Sequence, residues 1–101
     1  MPKKYKLIYL PIAYNDLDVI VEYILEDNPT AALETVERIQ EAIEKLKTFP
    51  NIGSIPKDFR LEQLGNRMLI VDDYLVFYVI DEDVVRIRRI LHGSRNYSYL
   101  L

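Results

Sequence analysis

The chain has 101 residues, of which 50% are hydrophobic and 29% charged, a composition typical of a globular core. It contains no cysteine and a single histidine, His92, which excludes disulfides, thiolate catalysis and metal sites built from cysteine or several histidines. No apolar run approaches the ~18–20 residues of a membrane span, and we expect no cofactor, metal or membrane contact. The sequence therefore predicts one domain over residues 1–101 of a cytoplasmic protein.

The net charge of −3 is unevenly distributed along the chain. Residues 1–12 hold three lysines and no acid, residues 13–48 hold nine acids against three bases, and residues 57–101 are balanced. The acidic charge therefore belongs to the first half, whereas the start and the second half are relatively basic. A negative total argues against binding to nucleic acid through bulk charge alone.

The first elements in chain order are a strand and a helix. Residues 4–10 predict a strand that ends at Pro11. Over residues 13–26, apolar side chains recur at helical spacing, and Asp16 is predicted to lie on the exposed side with the other acids.

A second helix is predicted to begin at Asn28-Pro29 and to end near Lys47. Asn is a favoured N-cap, and Pro suits the first helical position, where its missing N–H costs nothing. The connection to the preceding helix is short, so the two helices should form an antiparallel hairpin.

The second half predicts a loop followed by three strands. Residues 49–56 contain two prolines and a glycine, which favour a loop. Strands are predicted at 67–72, 74–81 and 84–91, separated by short acidic turns that favour antiparallel pairing. The predicted fold is α+β in the order β-α-α-β-β-β, an antiparallel sheet packed on one face by a two-helix hairpin.

The middle strand of this sheet is apolar on both faces, and one face carries Leu75, Phe77 and Val79. A single helical hairpin covers only one face of a small sheet. We therefore expect the other face to be an apolar surface that binds a partner. The alternative is that the tail, residues 94–101, folds back over it.

Basic and aromatic side chains are the candidates for chemistry. They suit RNA cleavage, because the 2′-hydroxyl of RNA is the nucleophile and the protein supplies positioning, charge stabilisation and proton transfer. A guanidinium keeps its charge when buried, so an arginine in a strand needs water, an acid or a phosphate, and the position of Arg89 suggests a pairing role. The candidates are Lys57, Arg60, Arg67, Arg86, Arg88, Arg89, His92, Arg95, Tyr97 and Tyr99.

Several short motifs, in this order and spacing, resemble one family over nearly the whole chain. They are Ala13-x-x-Asp16-Leu17-x-x-Ile20-x-x-Tyr23-Ile24, Asn28-Pro29-x-Ala31-Ala32, Leu46-x-x-x-Pro50-x-x-Gly53, Gly65-x-Arg67, Tyr74-x-Val76-x-Tyr78 and Ile90-Leu91-His92-Gly93-x-Arg95. The family is the RelE/ParE superfamily of type II toxins, which includes the toxins of plasmid-stabilising addiction modules.

The resemblance implies the α+β fold given above and a cognate antitoxin that wraps the toxin with an extended segment, a helix or an added strand. We assign the face with Leu75, Phe77 and Val79 to that antitoxin, and expect a homodimer through the same face in its absence. RelE-like members cut mRNA at the ribosome, whereas ParE-like members poison DNA gyrase. Ribosome-dependent mRNA cleavage is our preferred interpretation, gyrase inhibition is the alternative, and a degenerate toxin that only binds partners is a second alternative.

In the nuclease interpretation, the resemblance implies that Arg67 and Arg95 hold the scissile phosphate. Tyr97 or Tyr99 would then stack on a base or assist proton transfer. The residues predicted to bind RNA are Lys57, Arg60, Arg88 and His92.

Overall fold

The computed structural model describes residues 4–101, so Lys3 of the basic first segment lies outside the described residues. The elements are β1 (Lys6–Tyr9), α1 (Pro11–Leu25), α2 (Pro29–Glu44), α3 (Phe59–Gln63), β2 (Asn66–Val71), β3 (Tyr74–Asp81), β4 (Val84–His92) and α4 (Tyr97–Leu100). The predicted order of strands and long helices is confirmed, and the two short helices α3 and α4 are additional. None of the helices within the described range is long and apolar enough to cross a membrane.

The helical hairpin forms as its sequence predicts. Pro11 occupies the first turn of α1, and Asn28 caps α2 by accepting a hydrogen bond from the Ala31 N–H at 3.2 Å. The predicted end at Lys47 is confirmed in part, because a 3-10 turn (Lys45–Lys47) follows the α-helical residues. Both helices pack one apolar stripe on the sheet, which we call its helical face.

The sheet is mixed rather than wholly antiparallel. Its strand order is β1-β4-β3-β2, with β2–β3 and β3–β4 antiparallel as predicted. The correction concerns β1, which pairs in parallel with β4 so that Lys6 lies opposite Val84. Parallel pairing requires a long crossover, which the intervening helices and strands provide.

A β-bulge in β4 changes which side chains face the helices. Phe77 lies opposite Arg89 whereas Tyr78 lies opposite Ile87, so Arg88 is an extra residue on β4. The bulge lets Ile87 and Ile90 both join the core on the helical face. That core also includes Ala13, Leu17, Ile20, Ile39, Ile43, Leu46, Val71, Val76, Tyr78 and Val85.

The opposite sheet face, the tail face, is not the open apolar surface that we expected. Phe77 is fully buried with Leu61 of α3 and Leu91, and Tyr97, Leu100 and Leu101 pack around them. The alternative in which the tail folds back is therefore the correct one. Leu75 packs on the same cluster and Val79 is half-buried, so the surface assigned to the antitoxin and to a homodimer is largely covered in this state.

Polar contacts hold the tail on this face. Arg60 donates to the Ser98 carbonyl, and the Ser98 hydroxyl donates to Asp58. Arg89 donates to the Leu100 carbonyl at 3.3 Å. The hydrogen bonds from Ser98 and from the Leu61 N–H hold the pKa of Asp58 below its usual value.

Candidate functional site

A cleft of about 540 Å³ lies between α1 and the end of the sheet where β4 finishes. It is lined by Asn15, Asp16, Val19, Ile20, Tyr23, Tyr74, Arg89, Ile90, Leu91, His92, Ser94 and Arg95. These residues come from α1, β3, β4 and the turn after β4, so the cleft exists only in the folded chain.

The floor of the cleft is an ion pair between Arg89 and Asp16. The Arg89 Nε donates to Asp16 Oδ2 at 2.8 Å and Nη2 donates to Oδ1 at 2.9 Å, with side-chain exposures of 14% and 8%. The Ile90 N–H also donates to Oδ2 at 2.9 Å. Hydrogen bonding to Asp16 raises the pKa of Arg89 despite its burial. The pairing role predicted for Arg89 is confirmed, with Asp16 as the partner, but the exposed position predicted for Asp16 is wrong.

The rim of the cleft carries one uncompensated cation, Arg95, beside the imidazole of His92. Neither His92 nor Arg95 forms an ion pair within residues 4–101, whereas Arg89 is compensated by Asp16. The Ser94 N–H donates to His92 Nδ1 at 3.1 Å, and the Ser94 hydroxyl lies 2.8 Å from the same nitrogen. A neutral His92 ring therefore carries its proton on Nε2, which is the outward donor.

The wall of the cleft is phenolic and apolar. The Tyr74 ring packs edge-on against His92 with centroids 5.4 Å apart, and Tyr23 is 72% exposed on α1. Burial, with smaller effects of Asp73 and Tyr23, raises the pKa of Tyr74, so its hydroxyl stays a donor at neutral pH. The cleft suits a ligand that presents an acidic group beside apolar surface. Within the described residues, no three His, Asp or Glu side chains are grouped to hold a metal ion.

The structure separates the two arginines that were predicted to share a phosphate. Arg95 lines the cleft, whereas Arg67 Nη1 donates to the Gly53 carbonyl at 2.9 Å and to the Asn51 carbonyl at 3.2 Å. Arg67 lies opposite Tyr78 and His92 lies opposite Tyr74. Four residues along β3 span about 13 Å at ~3.3 Å per residue. In this structure the Arg67 guanidinium is therefore engaged by loop carbonyls rather than lining the cleft with Arg95.

The aromatic candidates of the tail also lie outside the cleft. The Tyr97 ring packs against Phe77, with centroids 5.1 Å apart, in the cluster on the tail face. Tyr99 is 86% exposed. The cleft that Arg95 lines therefore contains neither Tyr97 nor Tyr99, the two aromatic residues predicted to act in catalysis.

The residues predicted to bind RNA are dispersed. Of the four, only His92 lines the cleft. Lys57 is exposed before α3, Arg60 donates to the tail, and Arg88 Nη1 donates to Asn66 Oδ1 at 3.0 Å. Of the residues predicted to act in catalysis or RNA binding, the cleft brings together only Arg95 and His92, beside the paired Arg89.

Most lining residues of the cleft were not among the candidates, including the polar side chains of Asn15, Tyr23 and Tyr74. One signal in the sequence points to the α1 wall. Val19 and Tyr23 are apolar or aromatic side chains that lie off the inward stripe of Ala13, Leu17 and Ile20. A helix that is apolar on more than one side has more than one surface to cover.

Comparison with known proteins gives the class to which this fold and cleft belong. The family model for the ParE toxin of the type II toxin–antitoxin system parDE matches residues 7–97. The chain therefore belongs to the ParE toxin family, within the RelE/ParE superfamily that its motifs resemble.

Two solved toxin–antitoxin structures contain similar chains. The chromosomal ParDE system from P. aeruginosa matches with a TM-score of 0.74 and 24% identity, over 88% of this chain and 96% of that one. The RelBE2 complex from Mycobacterium tuberculosis matches with a TM-score of 0.61 and 21% identity, over 91% and 94%. At these identities the similarity concerns the fold. A search of curated protein sequences gives no significant match.

Proposed function

We propose that this toxin is held inactive by a cognate antitoxin and that, when free in the cytoplasm, it inhibits DNA gyrase through the cleft. The family membership supports a ParE-like target, and both similar structures belong to toxin–antitoxin systems. This proposal prefers the gyrase alternative over mRNA cleavage.

The observation that carries the proposal is the separation of Arg67 from Arg95. Metal-independent RNA cleavage needs the groups that hold the phosphate and move the protons to converge on one atom. Arg67 instead holds the loop at Asn51 and Gly53. Both carboxylate oxygens of Asp16 are occupied by Arg89 and Ile90, so the cleft has no free carboxylate base.

The composition of the cleft supports a protein ligand. Tyrosine and arginine are enriched among residues that contribute most to protein–protein binding, since they combine apolar area with hydrogen-bond donors. Tyr23, Tyr74 and Arg95 provide this combination around a floor whose charges are already neutralised. An acidic, partly apolar surface of the target would be complementary.

One observation keeps mRNA cleavage as the second candidate. His92 and Arg95 lie in the same cleft, and a neutral His92 has its Nε2 free of protein partners among the described residues. A histidine and an arginine are the minimum for proton transfer and phosphate binding.

The two candidates are separated by inducing the toxin in cells and mapping mRNA 5′ ends and gyrase-linked DNA breaks in the same samples. We expect DNA breaks without new transcript ends, and inhibition of purified gyrase by purified toxin. New ends within translated codons, without breaks, would establish the ribonuclease. Healthy cells with soluble toxin and neither signal would indicate the degenerate alternative.

Two variants assign the effect to the cleft. Arg95→Glu should abolish the breaks, because it reverses the charge of the rim. Arg86→Glu is the matched control, since Arg86 is an arginine of β4 that pairs with Asp81 away from the cleft. Equal loss of toxicity in both variants, with folded proteins by circular dichroism, would argue against a role for the cleft.

A further inference from the structure

The turn that follows β4 is closed by the imidazole of His92. The Arg95 N–H donates to the His92 carbonyl at 3.0 Å, the hydrogen bond of a β-turn over residues 92–95. The Ser94 N–H donates to His92 Nδ1 at 3.1 Å, and the Ser94 hydroxyl lies 2.8 Å from the same nitrogen. An aspartate or asparagine that accepts from the N–H two residues later forms an Asx-turn, and His92 makes the equivalent contact through its ring.

Neighbouring elements hold the ring and the turn in place. The Tyr74 ring packs edge-on against His92, with centroids 5.4 Å apart. The Gly93 N–H donates to the Asp73 carbonyl at 2.8 Å, and a Cβ on Gly93 would lie only 3.4 Å from that carbonyl oxygen. Arg95 is the last residue of this turn and lines the cleft. The closed turn therefore sets the direction in which the Arg95 side chain leaves the backbone.

Only a neutral His92 ring can close the turn in this way. A backbone N–H can only donate, so the contact with the Ser94 N–H requires Nδ1 to be without a proton. A histidine ring gains its second proton between about pH 8 and pH 5, and both of its nitrogens are then donors. The Ser94 hydroxyl can rotate to accept from a protonated Nδ1, whereas the Ser94 N–H loses its acceptor.

The cleft also lacks a charge that would compensate a protonated ring. The charged and titratable groups of the surrounding elements are Asp16 and Tyr23 of α1, Asp73 of the β2–β3 turn, Tyr74 of β3, Arg89 of β4 and Arg95. Among the cleft-lining residues that the structure describes, Asp16 is the only carboxylate, and Arg89 already holds it. A proton on His92 therefore places a second positive charge beside Arg95, and like charges repel.

We propose that neutral His92 is a positioning residue that holds Arg95 at the cleft, and that protonation of the ring opens the turn and weakens binding of the target. The closed turn and its opening rest on the geometry of this chain, whereas the effect on gyrase rests on the function proposed above. The binding energy that depends on the turn is present at neutral and mildly alkaline pH and is lost as the pH falls.

The first test follows the turn in the free toxin by NMR. At about pH 8, the nitrogen signals of the His92 ring in isotope-labelled toxin should show a bare Nδ1 and a protonated Nε2. As the ring is titrated to about pH 5, the amide signals of Ser94 and Arg95 should shift with the same midpoint, and the Ser94 N–H should exchange faster with solvent. A proton on Nδ1 at the higher pH, or amide signals that do not follow the ring, would overturn the proposed role of His92.

Two variants separate the roles of the two ring nitrogens. His92→Asn places an acceptor near the position of Nδ1 and gains no proton, whereas His92→Gln keeps a donor near Nε2 without that acceptor. The asparagine variant should keep the amide signals of the closed turn throughout the titration. The glutamine variant should show those of the open turn even at about pH 8. The reverse pattern, with both variants folded by circular dichroism, would mean that the acceptor does not close the turn.

The second test measures the affinity of purified gyrase for the toxin at about pH 8 and about pH 5.5. The wild-type toxin should lose roughly tenfold more affinity than His92→Asn, the scale of one hydrogen bond and one like-charge contact. The pH dependence of gyrase itself cancels in this ratio. An equal loss for both proteins would overturn the link between the turn and the target. Absence of gyrase binding at both pH values would contradict the proposed function, and the NMR titration would still confirm or overturn the role of His92 in the turn.

Discussion

The cleft and a second surface, the hairpin groove, flank the same helix but differ in charge and in chemistry. The hairpin groove is an apolar space of about 250 Å³ between α1 and α2, defined by Val21, Leu25, Pro29, Ala32, Leu33 and Val36. Residues 18–37, which supply these side chains, contain six acids and no lysine, arginine or histidine.

The cleft offers His92, Arg95 and two tyrosines, whereas the groove offers aliphatic side chains within an acidic segment. A ligand whose charge suits one surface would be disfavoured by the other, because like charges brought together cost free energy. The two flanks of α1, a helix of 15 residues, can therefore distinguish two partners.

The two surfaces also differ in how firmly their residues are held. The floor of the cleft is fixed by three hydrogen bonds to Asp16 that link α1 to β4. The groove is lined by apolar side chains that make no polar contacts. We infer that the floor of the cleft is preorganised for its ligand, whereas the side chains of the groove are free to adjust.

The largest effect is expected from Asp16→Ala, which removes the floor of the cleft. The variant leaves Arg89 mostly buried without a counterion and the Ile90 N–H without its acceptor. We expect a loss of about 3–5 kcal/mol in the free energy of unfolding, measured by urea denaturation. Asp18→Ala, an exposed acid on the same helix, should change it by less than about 0.5 kcal/mol. Similar values for both variants would mean that the ion pair does not stabilise the cleft.

A smaller loss of stability is expected from Tyr78→Phe, which touches neither surface. The Tyr78 hydroxyl donates to the Pro50 carbonyl at 2.7 Å and accepts from the Gly53 N–H at 2.9 Å. Its removal should cost about 1–3 kcal/mol, because a buried donor and acceptor lose their partner. Binding of gyrase by the folded variant should be unchanged. Weaker binding, measured well below its melting temperature, would show that stability and the cleft are coupled.

Crossing one variant from each surface tests whether the surfaces act independently. Arg95→Glu should weaken gyrase binding roughly tenfold, or about 1.4 kcal/mol, and Leu33→Ser should leave it unchanged. In the double variant, gyrase should lose the same binding free energy as with Arg95→Glu alone. The effects of residues without shared partners are usually additive. Calorimetry with gyrase measures this directly. A deviation of more than about 0.5 kcal/mol from additivity would reveal communication through α1.

The smallest effect is expected from acidification, which should weaken the docking of the C-terminal tail on the sheet. The pKa of Asp58 is lowered in the folded state, so Asp58 stabilises the folded state above about pH 4. This stabilisation is lost as the pH falls through the lowered pKa of the folded state. Tail docking, followed by the NMR signals of Tyr97 and Ser98, should weaken over that acidic range. Asp58→Asn keeps an oxygen for the N-cap and should remove the pH dependence. An unchanged acid transition in this variant would assign it to another group.

Much of the fold could be predicted because its signals are local. The Asn28 cap, the helical hairpin and the bounds of β3 depend on residues close in sequence. The parallel pairing of β1 with β4 and the burial of Asp16 depend on partners more than 70 residues away, so no window of sequence contains them. Helix α4 has only four residues, too few for a periodic pattern.

The lining of the cleft could be predicted only in part. Arg95 and His92 belong to one short motif, whereas Tyr23 and Tyr74 reach the cleft from α1 and β3. The role of Arg67 stays a prediction, and the structure shows which partners its side chain has instead of a phosphate. An arginine in a strand needs a partner, and in this fold the partners are two loop carbonyls rather than a phosphate.

The pairing of the first strand with the last has a consequence for the time at which the toxin becomes active during its own synthesis. β4 lies inside the sheet, and Val84 is made 78 residues after its neighbour Lys6. At about 5–20 residues per second this interval lasts roughly 4–16 s. The acidic hairpin emerges early, while the strand and turn that supply Arg95 emerge late. A growing chain would thus lack the surface for its target until its synthesis is almost complete.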